Sequence, residues 1–137
     1  MKANVMIGDW VEYRFTGWTE KDGVYKDYQY VQISSIGQLY IKADNDRVAS
    51  ADGEEFYPIP LTSEILEKNG FKWNTYHTSQ DLVCGTIHLG YGFYKGCISA
   101  SDWDENGNVQ IASLKCEYVH ELQHILRLCE INKEIIL

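Results

Sequence analysis

The spacing of apolar and polar positions changes character near the middle of the chain. Before residue 60 the apolar residues come in short runs of roughly period two, the spacing of strands. In VMIGDWVEYRF (5–15), Trp10, Val11, Tyr13 and Phe15 mark a strand launched by the Gly8-Asp9 turn. Residues 16–27 form a polar loop or hairpin tip, with Asp22-Gly23 as a turn dipeptide. YQYVQIS (28–34) is a strand whose two apolar sets, Tyr28 with Tyr30 and Val31 with Ile33, leave its buried face open. Ile36-Gly37 is a break, LYIKA (39–43) another strand, and 44–55 a polar, turn-rich stretch. FYPIPL (56–61) is extended, because each residue before Pro58 and Pro60 is pushed out of the α region. Short strands closed within about sixty residues predict a small SH3-like β-barrel over 1–60.

The second half mixes both periods. Thr62 is placed to cap a helix over TSEILEKNG, and Asn69-Gly70 to end it. Phe71 to Tyr76 is strand-like. LVCGTIHLGYGFYKGCISAS, interrupted by four glycines, reads as two strands and a turn. Asn106-Gly107 in DENGN marks a hairpin turn, with the return strand at 109–116. A second helix is predicted from Glu117 to about Cys129, and a short final strand over 134–137. The predicted class is therefore α+β: an SH3-like barrel over 1–60, then an antiparallel sheet with two helices over 61–137, packed as one compact unit.

Composition narrows the partners. With 45% hydrophobic and 23% charged residues the chain has enough apolar material for a core. Its net charge of −8 is shared evenly, since each half carries six Lys/Arg against ten Asp/Glu. Such a field repels nucleic acid and anionic lipid. No apolar run approaches the ~20 residues of a membrane span. Four cysteines without a CxxC pair, and no secretory signal, point to a cytoplasmic protein with reduced, buried thiols.

Several short patterns invite a chemical reading. HELQH contains His120, Glu121 and His124, the spacing at which two imidazoles ligate zinc and a carboxylate activates water. On a helical wheel, however, Val119, Leu122, Ile125, Leu126 and Cys129 make one stripe, and both histidines fall opposite it. They are expected to face water. The extended metzincin pattern needs a glycine at position 127 and a third-ligand histidine at position 130, where the chain has Arg127 and Glu130. DWDENGNVQIAS begins like a calcium loop, with Asp102, Asp104 and Asn106 at ligand positions, but Ser113 replaces the bidentate glutamate. A hairpin is the simpler account. His77, Cys84, His88 and Cys97 fit no structural-zinc spacing, and GYGFYKG lacks the third glycine of a nucleotide loop. No cofactor is implied. The N-terminal aromatics, Trp10, Tyr13, Trp18, Tyr25, Tyr28, Tyr30, Tyr40 and Tyr57, fill a small barrel or line a groove for an extended peptide. Trp18 and Tyr25, flanking the polar loop, are the rings expected to be exposed.

Three segments carry a resemblance. IGDWV (7–11), PIPLTSEILEKNGF (58–71) and YVHELQHILRL (118–128) together resemble small uncharacterised proteins of gut-dwelling anaerobic bacteria and their prophages. Those typically read I-G-N-W-V, then P-I-P-L-T-x-E-x-L-x-K-x-G-F, then K-Y-V-H-x-L-Q-N. This chain has Asp9 and His124 where that pattern often has Asn. The resemblance implies a fold and a prophage or mobile-element setting, and no activity. With no nucleophile, base and orienting group in evident register, the expectation is a non-enzymatic binding or adaptor protein for an unidentified protein or peptide. The alternatives are a zinc hydrolase through His120, Glu121 and His124, and a calcium module through Asp102, Asp104 and Asn106.

Overall fold

The computed structural model describes residues 5–37, 40–50, 55–73, 81–92, 96–103, 106 and 109–137. Its contacts divide the chain into two compact units, Met1–Ile59 and Pro60–Leu137. Among the described residues the first holds strands alone and the second combines strands with two helices, so the class is α+β.

The N-terminal unit is a five-stranded antiparallel sheet. In chain order the strands are β1 (Trp10–Thr19), β2 (Gly23–Ile36), β3 (Tyr40–Ala43), β4 (Val48–Ser50) and β5 (Phe56–Tyr57). Their spatial order is β4-β3-β2-β1-β5. Among the described residues this sheet is open rather than a closed barrel, and residues 51–54, which join β4 to β5, lie outside the description. Of the two readings for 16–27, a polar loop or a hairpin tip, the structure has the hairpin, with most of the segment in strand. β1 and β2 pair without a register shift from Trp10↔Gln32 to Thr19↔Gly23, and only residues 20–22 turn. Gly23, at φ +69, makes that turn in a region where a side chain is strained.

Burial follows the two-residue alternation. Val11, Val31, Ile33, Ile41, Ala43 and Phe56 form the core, with Val5 and Tyr13 against it. This settles the face of β2, since Val31 and Ile33 point in. The 7–11 motif supplies the entry. The buried Asp9 accepts a 2.7 Å bond from the Met6 amide, and Gly8, at φ +91, donates to Ile33 O at 2.7 Å.

The C-terminal unit holds the remaining elements. α1 (Ser63–Lys68) is followed by β6 (Lys72–Trp73), β7 (Asp81–Cys84), β8 (Ile87–Gly92), β9 (Gly96–Trp103), β10 (Val109–Lys115) and α2 (Val119–Leu128). The sheet is an antiparallel meander, β10-β9-β8-β7-β6. Where two strands were predicted between 82 and 101 there are three. Gly85, at φ +59, lets a two-residue turn join Cys84 to its partner Ile87. Of the strand expected from Phe71 to Tyr76, β6 covers Lys72–Trp73, and residues 74–80 lie outside the description. No helix among the described residues is long and apolar enough to cross a membrane.

The 58–71 motif organises this unit. Thr62 Oγ1 accepts from Ile65 N at 3.2 Å, as an N-cap should. Leu61, Leu66 and Phe71 are buried, and Gly70 leaves the helix at φ +87. Leu61 N donates to Glu117 O at 2.9 Å, so the entries to α1 and α2 run side by side. The final strand predicted over 134–137 does not form. Asn69 takes its place: its Oδ1 accepts from Ile136 N at 2.7 Å, and its Nδ2 donates to Ile136 O and Ile65 O, both at 2.8 Å. One buried carboxamide thus does for the C-terminal segment what a neighbouring strand would do.

Candidate functional site

Two regions carry the residues singled out by their chemistry. In the first, α2 presents HELQH. Glu121 is at the third position of the helix, and its Oε1 accepts from Glu117 N at 3.0 Å and Tyr118 N at 3.1 Å. That carboxylate is occupied in starting the helix, where amides and dipole favour an anion. The histidines depart from expectation. His120 is only 7% exposed and His124 is half-buried. The helical wheel failed at His120 because it counts the helix alone. In the first turn, the Tyr118 ring, from just before the helix, stacks on His120 at 5.9 Å, and the edge of His124 meets it at 5.6 Å. Among the described residues no three His, Cys, Asp or Glu side chains are grouped to hold a metal.

The calcium alternative falls mostly outside the description. Asp104 and Gly107 are not described, Asp102 is described by its backbone alone, and Asn106 is an exposed turn residue. The flanking segments are the antiparallel strands β9 and β10, paired from Trp103↔Val109 to Ser99↔Lys115. A calcium loop of that type needs helices there. His77 and the Cys97 side chain also lie outside the description.

The second region is the β1–β2 hairpin. Among the described residues β3 pairs with β2 between Ile33 and Ile36, and β5 with β1 at Glu12 and Tyr13, extended by an Arg14 N to Glu55 O bond of 3.1 Å. Among the described residues the rest of the hairpin, from Phe15 to Gln29, has no further strand beside it and forms a two-stranded arm. Alternation sorts its side chains onto two faces. One face carries the cross-strand pairs Trp18↔Val24, Thr16↔Lys26, Arg14↔Tyr28 and Glu12↔Tyr30. Here Trp18 is 68% exposed, Val24 70% and Tyr28 55%. The Tyr28 and Tyr30 rings lie 5.7 Å apart, and the Arg14 guanidinium sits 3.6 Å over the Tyr57 ring while reaching Glu12 at 3.4 Å. Partial burial, with Tyr28 and Glu12 beside it, raises the Tyr30 hydroxyl above its ordinary pKa.

The opposite face carries Tyr13, Phe15, Gly17 and Tyr25. Tyr13 stacks on Phe15 at 5.9 Å and tilts against Phe56 at 5.6 Å. Tyr25 lies directly over Gly17, where an added methyl would strike the ring. An open concavity of about 810 Å³ follows β1, lined by Tyr13, Arg14, Phe15, Tyr25, Arg47 and Tyr57 among others. Its lining draws on both faces of the strand, so it runs along an edge.

Trp18 and Tyr25 are both exposed, and the pleat puts them on opposite faces of the hairpin. The partners that sequence reasoning left out are Val24, Lys26 and Arg14. Period two continues unbroken through Val24, Lys26, Tyr28 and Tyr30, and that was the available signal. It was obscured by the charges of KDG and KD, which suggested a loop. No protein-family model, curated protein or solved structure matches the chain.

Proposed function

We propose that the protein is a non-enzymatic binding module whose N-terminal, SH3-like unit engages a polypeptide through the β1–β2 arm. The carrying observation is the exposed set Trp18, Val24, Tyr28 and Tyr30 on one face of a strand pair that has no further strand beside it among the described residues. A two-stranded hairpin is marginal in water, and clustered exposed aromatics mark interaction surfaces. The engagement of Glu121 in helix capping favours this reading over a hydrolase. The setting we propose is an adaptor of a prophage or mobile element, on the resemblance of the three motifs.

Selection from a displayed peptide library tests it. The wild-type protein should enrich a family of peptides, and a Trp18→Ser/Tyr28→Ser variant with an unchanged melting temperature should retain none of them. Equal retention by the variant removes the arm from the function.

A further inference from the structure

The arm has an open backbone edge as well as an aromatic face. In an antiparallel strand, alternate residues turn both amide and carbonyl to the same side. Ile33 turns toward β1, donating to Asp9 O at 2.9 Å and accepting from Gly8 N, whereas Gln32 turns away, its carbonyl accepting from Asp44 N at 2.8 Å. The unbroken register then directs the backbone groups of Val24, Lys26, Tyr28 and Tyr30 outward. Among the described residues no strand pairs with that stretch. One of its amides, Tyr28 N, is held by the carboxylate of its neighbour Asp27 at 2.8 Å.

We propose, resting on the binding-module reading, that this edge accepts an extended partner strand carrying an acidic residue opposite Lys26 and a basic residue opposite Asp27. Lys26 has no carboxylate in ion-pair range among the described residues. It stands between Val24 and Tyr28 on the aromatic face, while Asp27 points to the other face. Strand addition supplies affinity through the main chain and specificity through alternate side chains. A strand reading apolar, basic, acidic, polar, apolar, laid antiparallel to 24–28, meets every side chain with its complement. Asp27 releases the Tyr28 amide to the partner's carbonyl and takes the basic side chain.

A second copy of this chain is a poor occupant. A two-fold pairing of β2 with itself must place opposed residues on one face, so it centres on a single residue. Centred on Lys26 it opposes two lysines, and centred on Asp27 two aspartates. Centred on Tyr28 it sets Val24 against Gln32, whose outward groups Asp44 already holds. Centred on Tyr25 it leaves only Val24 and Lys26 to bond. Adjacent opposite charges thus disfavour the self-pairings centred on Lys26 and Asp27 while marking the strand the edge accepts.

The test uses the full chain and two peptides, acetyl-Thr-Val-Lys-Glu-Thr-Val-Thr-amide and its charge-swapped form with Glu-Lys at the centre. Followed by amide resonances, the first peptide should slow hydrogen exchange at Lys26 and Tyr28 and bind about fivefold more tightly than the second, the size of a favourable cross-strand pair set against an unfavourable one. A Lys26→Glu/Asp27→Lys variant should reverse the preference. Equal affinities, or a preference the variant does not reverse, overturn the proposal. So does exchange protection that grows with protein concentration alone, which would make a second copy the occupant. If library peptides bind in a Tyr28-dependent way without protecting these amides, strand addition falls and the binding module stands. If neither kind of peptide binds, both fall.

Discussion

The two regions that carry unusual side chains use them in opposite ways. In the C-terminal unit, polar groups that look available are drawn inward: Asn69 is 5% exposed, His120 7%, and Glu121 is bonded to two amides. On the N-terminal arm, apolar groups that belong inside are left out, with Trp18 and Val24 more than two-thirds exposed. Buried polar and exposed clustered apolar groups are the informative departures from ordinary burial. Asn69 and Glu121 of the first kind hold the segment about Ile136 and the start of α2, and the second kind has no such use among the described residues of its own unit. The difference separates structural residues from candidate functional ones more cleanly than motif matching does.

The largest expected effect tests the inward side. Asn69→Ala removes three hydrogen bonds and strands the Ile136 amide and carbonyl, so urea unfolding should show a loss of about 2–3 kcal/mol. A loss below about 0.5 kcal/mol would mean that the C-terminal segment is not held by this carboxamide. Next, Glu121→Ala should cost about 1 kcal/mol by undoing the start of α2. Equimolar zinc should leave the wild-type melting temperature unmoved; a rise abolished by His124→Ala would return HELQH to the functional column. On the outward side, Trp18→Ser and Tyr28→Ser should each change stability by no more than about 0.5 kcal/mol. A larger loss in either would make the arm's aromatics structural, and the contrast between the regions would collapse.

The smallest effect is a titration. A hydroxyl whose pKa is higher in the folded chain than in the unfolded one contributes stability that is complete below its ordinary value of 10.0 and declines as pH rises through the folded value. Tyrosinate absorbance should show a late-titrating component that Tyr30→Phe removes. If the variant leaves the late part of the curve unchanged, Tyr30 is not set apart by Tyr28 and Glu12.

Much of the local structure was legible. The Thr62 cap and the Asn69-Gly70 stop were predicted where they occur, because caps and left-handed exits depend on side chains within a few residues. The strands about Val11, Val31 and Ile41 were legible for the same reason. Errors arose where distant chain decides. The length of the β1–β2 hairpin depends on cross-strand pairing that extends strands through Lys26 and Asp27 despite their charge. The burial of His120 depends on a ring from outside the helix. The candidate site shared this fate: its exposed rings were named, but which of them share a face required the register.

The sequence by itself determined where α1 starts and stops, the α+β class, and the net negative charge. Those follow from backbone preferences and summed charge, which act locally or act regardless of arrangement. Only the tertiary structure decided that Asn69 replaces a strand, that Trp18 and Tyr25 part company, and that β2 turns outward an edge that no strand pairs among the described residues. Each of these depends on which backbone groups already have partners, and that is a property of the assembled sheet.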